Sequence, residues 1–137
     1  MSGDLPVRIV GLDHVGIAAA TDDPPLGGLL GTAPALREMP SGVAVGRFGP
    51  DTVLELVAPA RPGNPVERFL ERRGPGLHHV GLRVDEPLGD LLPRLEAAGF
   101  RPLGGVERSS DGRPSLFLHP STTGGVLIEL VEGARPA

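Results

Sequence analysis

The chain writes one unit twice. Leu12-Asp13-His14-Val15-Gly16-Ile17 returns as Leu77-His78-His79-Val80-Gly81-Leu82, and Val53-Leu54-Glu55-Leu56-Val57 returns as Leu127-Ile128-Glu129-Leu130-Val131. Each copy thus opens on a histidine-bearing strand and closes on a glutamate-bearing one. The copies lie about 65–75 residues apart, a period longer than that of solenoid repeats. Within 137 residues neither copy can bury a sheet face alone, so the two are expected to pack side by side around a shared cleft.

The segments between these anchors spell the same element order in each half. Arg8 to Ala19 reads as a strand, with His14, Gly16 and Ala18 on one face. Thr21-Asp22-Asp23-Pro24-Pro25 breaks it. Asp23 can cap a helix, which Gly27, Gly28 and Gly31 keep short. A strand over Ala35 to Met39 precedes a hairpin, Gly42 to Phe48 and Asp51 to Val57, turned at Gly49-Pro50-Asp51. After a linker over Ala58 to Gly63, Asn64 as cap, Pro65 at the first position and Glu67 three residues past the cap predict a helix to Arg73, stopped by Gly74. In the second half, His79 to Val84 is a strand with His79 and Gly81 on one face. Leu88, Leu91, Leu92, Leu95 and Ala98 fall at helical spacing. Pro93 predicts a kink or a later start for that helix. Strands over Phe100–Arg108 and Ser115–His119, turned at Asp111-Gly112, and a last strand over Val126 to Val131 complete the unit. The expected fold class is α+β, with paired βαβββ modules in one domain over residues 1–137. Module one runs about 8–59, a bridging helix about 64–74, and module two about 77–132.

The chemistry open to this chain is narrowed by what it lacks. It has no cysteine, which removes disulfides, thiol nucleophiles and thiolate metal ligands together. All 13 basic residues are arginine, so no lysine can form a Schiff base. A net charge of −4 argues against general nucleic-acid binding. No apolar run is long enough to cross a bilayer, and Met1-Ser2-Gly3-Asp4 lacks a signal-peptide pattern, so a cytoplasmic location away from membranes is expected. Any metal must be held by imidazole and carboxylate, which suit Zn, Co, Mn, Ni or Fe(II). Glu55 and Glu129 lie between apolar neighbours, where an unpaired carboxylate is expensive to bury. Two neutral imidazoles and two carboxylates around a divalent cation form a neutral cluster, so His14, Glu55, His79 and Glu129 are a candidate ligand set. A lone strand histidine is more often a hydrogen-bonded structural residue, and a lone strand glutamate is usually solvated; repetition of both at matched positions favours the site. His78 is expected to point away from it, and Arg72, Arg73 and Arg83 to be solvated.

The chain resembles the vicinal oxygen chelate superfamily, which groups glyoxalases, bleomycin resistance proteins and dioxygenases, and within it the methylmalonyl-CoA epimerases. The resemblance is carried by Leu12 to Ala18, by Val53-Leu54-Glu55-Leu56 with Ala58-Pro59, by Phe69 to Gly74 leading into Gly76-Leu77-His78-His79-Val80, and most specifically by Phe117 to Leu130. It implies a cleft between paired βαβββ modules, a homodimer, and one divalent ion per chain (Co, Mn, Zn or Ni) on His14, Glu55, His79 and Glu129. It further implies an acyl-CoA thioester substrate and inversion at the α-carbon of a methylmalonyl-CoA-like thioester through an enolate. Glu129 is then the ligand that doubles as base, and the second base is unassigned; His119 lies close in sequence to the ligand strand, or only braces its loop.

Against the family pattern, the first-module helix is cut down to a Pro/Gly-rich segment. Val45 stands where some epimerases carry a glutamate proposed as base, and Ser121 stands where a lysine is common. Three other activities share the scaffold. A glyoxalase I-like isomerase would use the same metal, an extradiol dioxygenase needs Fe(II) with two histidines and one carboxylate, and a non-catalytic resistance-type binding protein needs only the cleft.

Overall fold

The computed structural model describes residues 5–20, 25–31, 34–48 and 53–136. The expected Asp23 cap and the Gly49-Pro50-Asp51 turn lie outside the described residues. Among those described, the order is β1 (Ile9–Ala18), α1 (Pro25–Leu30), β2 (Arg37–Glu38), β3 (Val43–Arg47), β4 (Leu54–Pro59), α2 (Pro65–Arg73), β5 (Gly76–Val84), α3 (Leu88–Ala97), β6 (Pro102–Arg108), β7 (Pro114–Leu118) and β8 (Ile128–Glu132). This is βαβββ written twice with α2 between, an α+β fold. The chain forms two compact units, one of residues 14–78 and one of residues 1–13 with 79–137. Strand β1 gives its first half to the latter.

In the unit of residues 14–78 the strands run β2-β3-β4-β1. The β1–β4 pair is parallel, with Gly16 opposite Glu55 and Ala18 opposite Val57, and β3–β4 is antiparallel. Alternation divides the side chains between two apolar clusters. Ala18, Val57 and Val66 gather Val43, Val45, Phe69 and Leu70 on the α2 side, while Ala19, Phe48 and Leu56 gather Leu26, Leu36 and Leu54 on the other. Gly46 is required by a close approach: a Cβ there would stand 2.5 Å from the Ala35 carbonyl oxygen.

Helix α2 forms as its local sequence predicts. The Asn64 side chain accepts from the Glu67 N–H at 3.0 Å, and Gly74, at φ 74°, donates its N–H to the Leu70 carbonyl. One detail differs from the expected capping box. The Glu67 carboxylate accepts from the N–H of Gly63 at 3.3 Å, one residue before the cap, which satisfies a donor of the entering chain. Strand β4 also runs on to Pro59, into what reads locally as linker, because Ala58 and Pro59 still pair with Ala44 and Val43.

In the other unit the order is β5-β8-β7-β6. Strands β5 and β8 are parallel, with Gly81 opposite Glu129, and β7–β8 is antiparallel. Leu88, Leu91 and Leu95 of α3 bury against Val84, Leu116, Leu118 and Leu130, each such leucine contributing about 1.5–3 kcal/mol. That burial holds α3 in register despite Pro93. The helix starts at Leu88, ahead of the proline, and Pro93 and Gly89 are both exposed, so water can satisfy the Gly89 carbonyl that proline leaves without a donor. Pro87 offers α3 no side-chain cap, and the Glu132 carboxylate accepts from the Leu88 N–H instead, at 3.2 Å. The turn at Asp111-Gly112 forms as expected, with Gly112 at φ 89° and its N–H on the Ser109 carbonyl. No helix among the described residues is long and apolar enough to cross a membrane.

Candidate functional site

His14, Glu55, His79 and Glu129 are all buried, and each offers an atom able to ligate a metal ion. They form one pair in each unit. In the unit of residues 14–78, His14 Nε2 lies 3.7 Å from Glu55 Oε1. In the other, His79 Nε2 lies 3.3 Å from Glu129 Oε1. The cause is the same in both. A histidine two residues before a glycine shares that glycine's strand face, and the parallel ladder sets the glycine opposite a glutamate, Gly16 against Glu55 and Gly81 against Glu129. Imidazole and carboxylate are therefore brought together by alternation and register alone.

The surroundings of the two pairs differ. Arg47 faces Glu55 across the β3–β4 ladder, with its Nε 4.0 Å from Glu55 Oε2. Phe117 holds the corresponding place opposite Glu129 and meets the His79 ring edge-on at 5.5 Å. His78 turns away from His79, as alternation requires, and packs edge-on against Phe69 of α2 at 4.9 Å. His119 braces its loop: its Nδ1 accepts from the Ser121 N–H at 3.1 Å and lies 2.7 Å from the Ser121 hydroxyl oxygen. That capping seats the short 3₁₀ turn over Pro120–Thr122.

One buried ion-pair network escapes a reading of the sequence. Asp13, fully buried, receives both terminal nitrogens of Arg113, at 2.7 and 2.9 Å. Arg113 also binds Asp111, at 2.8 Å, and donates to the Gly133 carbonyl at 2.9 Å, while Arg135 donates to the Asp13 carbonyl at 2.6 Å. Arg83, expected to be solvated, instead brings its Nε to 3.7 Å from the Asp13 carboxylate. The available signal was a break in the repeat, since the residue before the histidine is Asp13 in one copy and His78 in the other. Arg113 stands 100 residues from Asp13, beyond the reach of any local pattern.

Burial disfavours the charged Arg113, but its two carboxylate partners outweigh that and hold the guanidinium protonated more firmly than usual. Burial likewise pushes Asp111 up, yet hydrogen bonds from Arg113 and Ser109 prevail and bring it to about 2, from 3.8. A carboxylate depressed in the fold adds stability above its unfolded pKa, and that stability is lost as pH falls through the folded value. Asp111 is expected to contribute on the order of 1–2 kcal/mol, lost between about pH 4 and pH 2. Acid-unfolding curves of the wild type and Asp111→Asn, equally spaced above and below pH 3, would contradict this.

Comparison with known proteins places the chain. Residues 26–117 match the Glyoxalase/Bleomycin resistance protein/Dioxygenase superfamily, a stretch that holds Glu55 and His79 and stops short of His14 and Glu129. An ethylmalonyl-CoA/methylmalonyl-CoA epimerase of Cereibacter sphaeroides is 40% identical over 84 residues, covering 59% of this chain and 62% of that protein. The chain spans about half to three-fifths of the length of the first curated relatives it matches. Among solved structures, the methylmalonyl-CoA epimerase from Mycobacterium tuberculosis superposes with a TM-score of 0.73 at 32% identity, covering 98% of this chain and 93% of that one. A Streptomyces coelicolor methylmalonyl-CoA epimerase variant in complex with 2-nitronate-propionyl-CoA gives 0.79 at 26% identity, covering 93% and 96%. A sequence match over most of the chain and two βαβββ units in its order make this protein a member of the glyoxalase/bleomycin resistance protein/dioxygenase superfamily.

Proposed function

We propose that the two His/Glu pairs jointly hold one divalent ion, and that the chain is a homodimeric epimerase inverting the α-carbon of methylmalonyl-CoA-like thioesters. The observation that carries the metal assignment is the register. Gly16 opposite Glu55 and Gly81 opposite Glu129 bring a buried imidazole to a buried carboxylate twice. The donor set fits, because two imidazoles and two carboxylates neutralise a divalent cation, and buried carboxylates demand such compensation. The choice of reaction is supported by the relatives, which are epimerases of branched malonyl-CoA thioesters.

A bound divalent ion would supply Lewis acidity, stabilising negative charge on the thioester oxygen by several kcal/mol. The chain's own residues do the rest. His14 and His79, buried beside their carboxylates, present ring nitrogens as neutral ligands. Glu55 adds fixed negative charge. The Glu129 carboxylate takes the α-proton, and the electron pair of the broken C–H bond moves into the thioester as an enolate. A proton delivered to the opposite face then completes the inversion, and nothing is consumed.

The test is washout of the α-proton of methylmalonyl-CoA in deuterated water with added Co or Mn. Washout is expected in the wild type and should fall about 10²–10⁴-fold in Glu129→Gln, the usual contribution of a placed proton-transfer group. Absence of washout at any metal loading would remove the epimerase reading and leave the fold untouched.

A further inference from the structure

Helix α3 ends at Ala97, and Gly99, at φ 93°, turns the chain toward β6. Between helix and strand lies an open groove of about 560 Å³, lined by Leu92, Glu96, Phe100, Arg101 and Pro102. Its floor is apolar and fixed, because Leu92 and Phe100 are half-buried and pack on the core of this unit. Two opposite charges stand on its walls. Glu96 and Arg101 are both exposed, and among the described residues neither side chain makes a hydrogen bond or an ion pair, with the other or with a third group. Arg94, on the same helix, does pair, holding Glu86 at 2.7 Å. The Arg101 backbone is gripped on both sides: its N–H donates to the Thr122 hydroxyl at 3.2 Å, and its carbonyl accepts from the His119 N–H at 2.7 Å. The guanidinium is thus carried by an ordered backbone and engages nothing. Glu96 breaks a local rule, since the last turn of a helix favours cations over carboxylates. Such breaks are expected where a residue serves a ligand, and the ligand that would relieve this one is a cation.

We infer that this groove is a binding site for an α-amino acid with an aliphatic side chain. The ammonium group meets Glu96 and the negative end of α3. The carboxylate meets the guanidinium fork of Arg101, whose planar geometry matches it. The side chain covers the apolar surface of Leu92, Phe100 and Pro102. A ligand with a single charge would leave one wall unanswered, and a neutral apolar ligand would leave both. An α-amino acid carries the two charges on one carbon beside an apolar group, which is the set the groove presents. The site stands apart from the epimerase reading, because β6 lies two strands from β8, which carries Glu129.

The test is titration of the isotopically labelled full chain with L-leucine, followed by amide chemical shifts. Leucine is expected to bind with millimolar affinity and to shift amides between Leu92 and Gly104. Isoamylamine lacks the carboxylate and 4-methylpentanoate lacks the ammonium, so each should bind about 5-fold more weakly, the worth of a partly solvated ion pair. Glycine, without the isobutyl group, should bind at least about 10-fold more weakly. Glu96→Gln should weaken leucine and isoamylamine and leave 4-methylpentanoate unchanged. Arg101→Gln should weaken leucine and 4-methylpentanoate and leave isoamylamine unchanged. No shift at tens of millimolar leucine, shifts centred outside the groove, or equal affinity for leucine and both single-charge analogues overturns the assignment. So does a leucine affinity that survives both substitutions in chains whose amide spectra stay dispersed. Because α-proton washout is read separately, its absence would sink the epimerase reading and leave this site standing.

Discussion

Replacing Arg113 by methionine should cost about 3–5 kcal/mol of stability, the effect expected when one partner of a buried ion pair is removed. Asp13 is fully buried and takes both terminal nitrogens of Arg113, so the substitution leaves an anion with its principal counter-charge gone. Arg83, at 3.7 Å and half-buried, can recover a minor share. For a chain of this size the midpoint of thermal unfolding should fall by roughly 10–20 °C. Pairing Arg113→Met with Asp13→Leu should recover most of the loss, because removing both charges also removes the need to desolvate them. A single variant that melts within about 3 °C of the wild type would show that the pair carries no such energy. Asp13 directly precedes His14, so the pair also anchors the strand segment that leads into that candidate ligand.

Substituting His79 by alanine should abolish stoichiometric metal binding. The wild type, purified without chelator, is expected to carry about one divalent ion per chain, as a site built from two imidazoles and two carboxylates requires. The variant deletes one of the two neutral donors and leaves Glu129 without the imidazole 3.3 Å away. Because disturbing only an outer-shell partner already weakens metal sites by about 10–100-fold, loss of a direct ligand should exceed 100-fold. Metal content by elemental analysis and affinity by competition with a chromophoric chelator give the two readouts. His78→Ala is the matched control. That ring packs on Phe69, so its loss should leave the metal in place. Wild-type protein free of metal under these conditions would sink the metal assignment, as would full occupancy in His79→Ala.

Some of this architecture is written locally, and the sequence alone suffices there. Helix α2 carries its own cap, first-turn proline and stop within residues 64–74, so it forms where those residues predict. The strands around His14 and His79 declare their faces by alternation, and the doubled motif marks Glu55 and Glu129 as their companions. Where a local rule met a tertiary one, packing won. Pro93 argues for a kink or a later start, yet three buried leucines hold α3 from Leu88 onward. Arg83 reads as a solvated surface residue, and only the position of Asp13 draws it inward.

What the sequence determined by itself is therefore the element order, the repeat and the identity of the four candidate ligands, because each depends on spacings of a few residues. Strand register and long-range ion pairing were decided by the tertiary structure. Register put Arg47 opposite Glu55 and Phe117 opposite Glu129, so that two copies of one motif acquired different electrostatic neighbours. Folding also joined Asp13 to Arg113 across 100 residues. Neither outcome has a local signature. A cross-strand neighbour is defined only once two segments have paired, and an isolated aspartate or arginine looks the same whether its partner is water or a buried counter-charge.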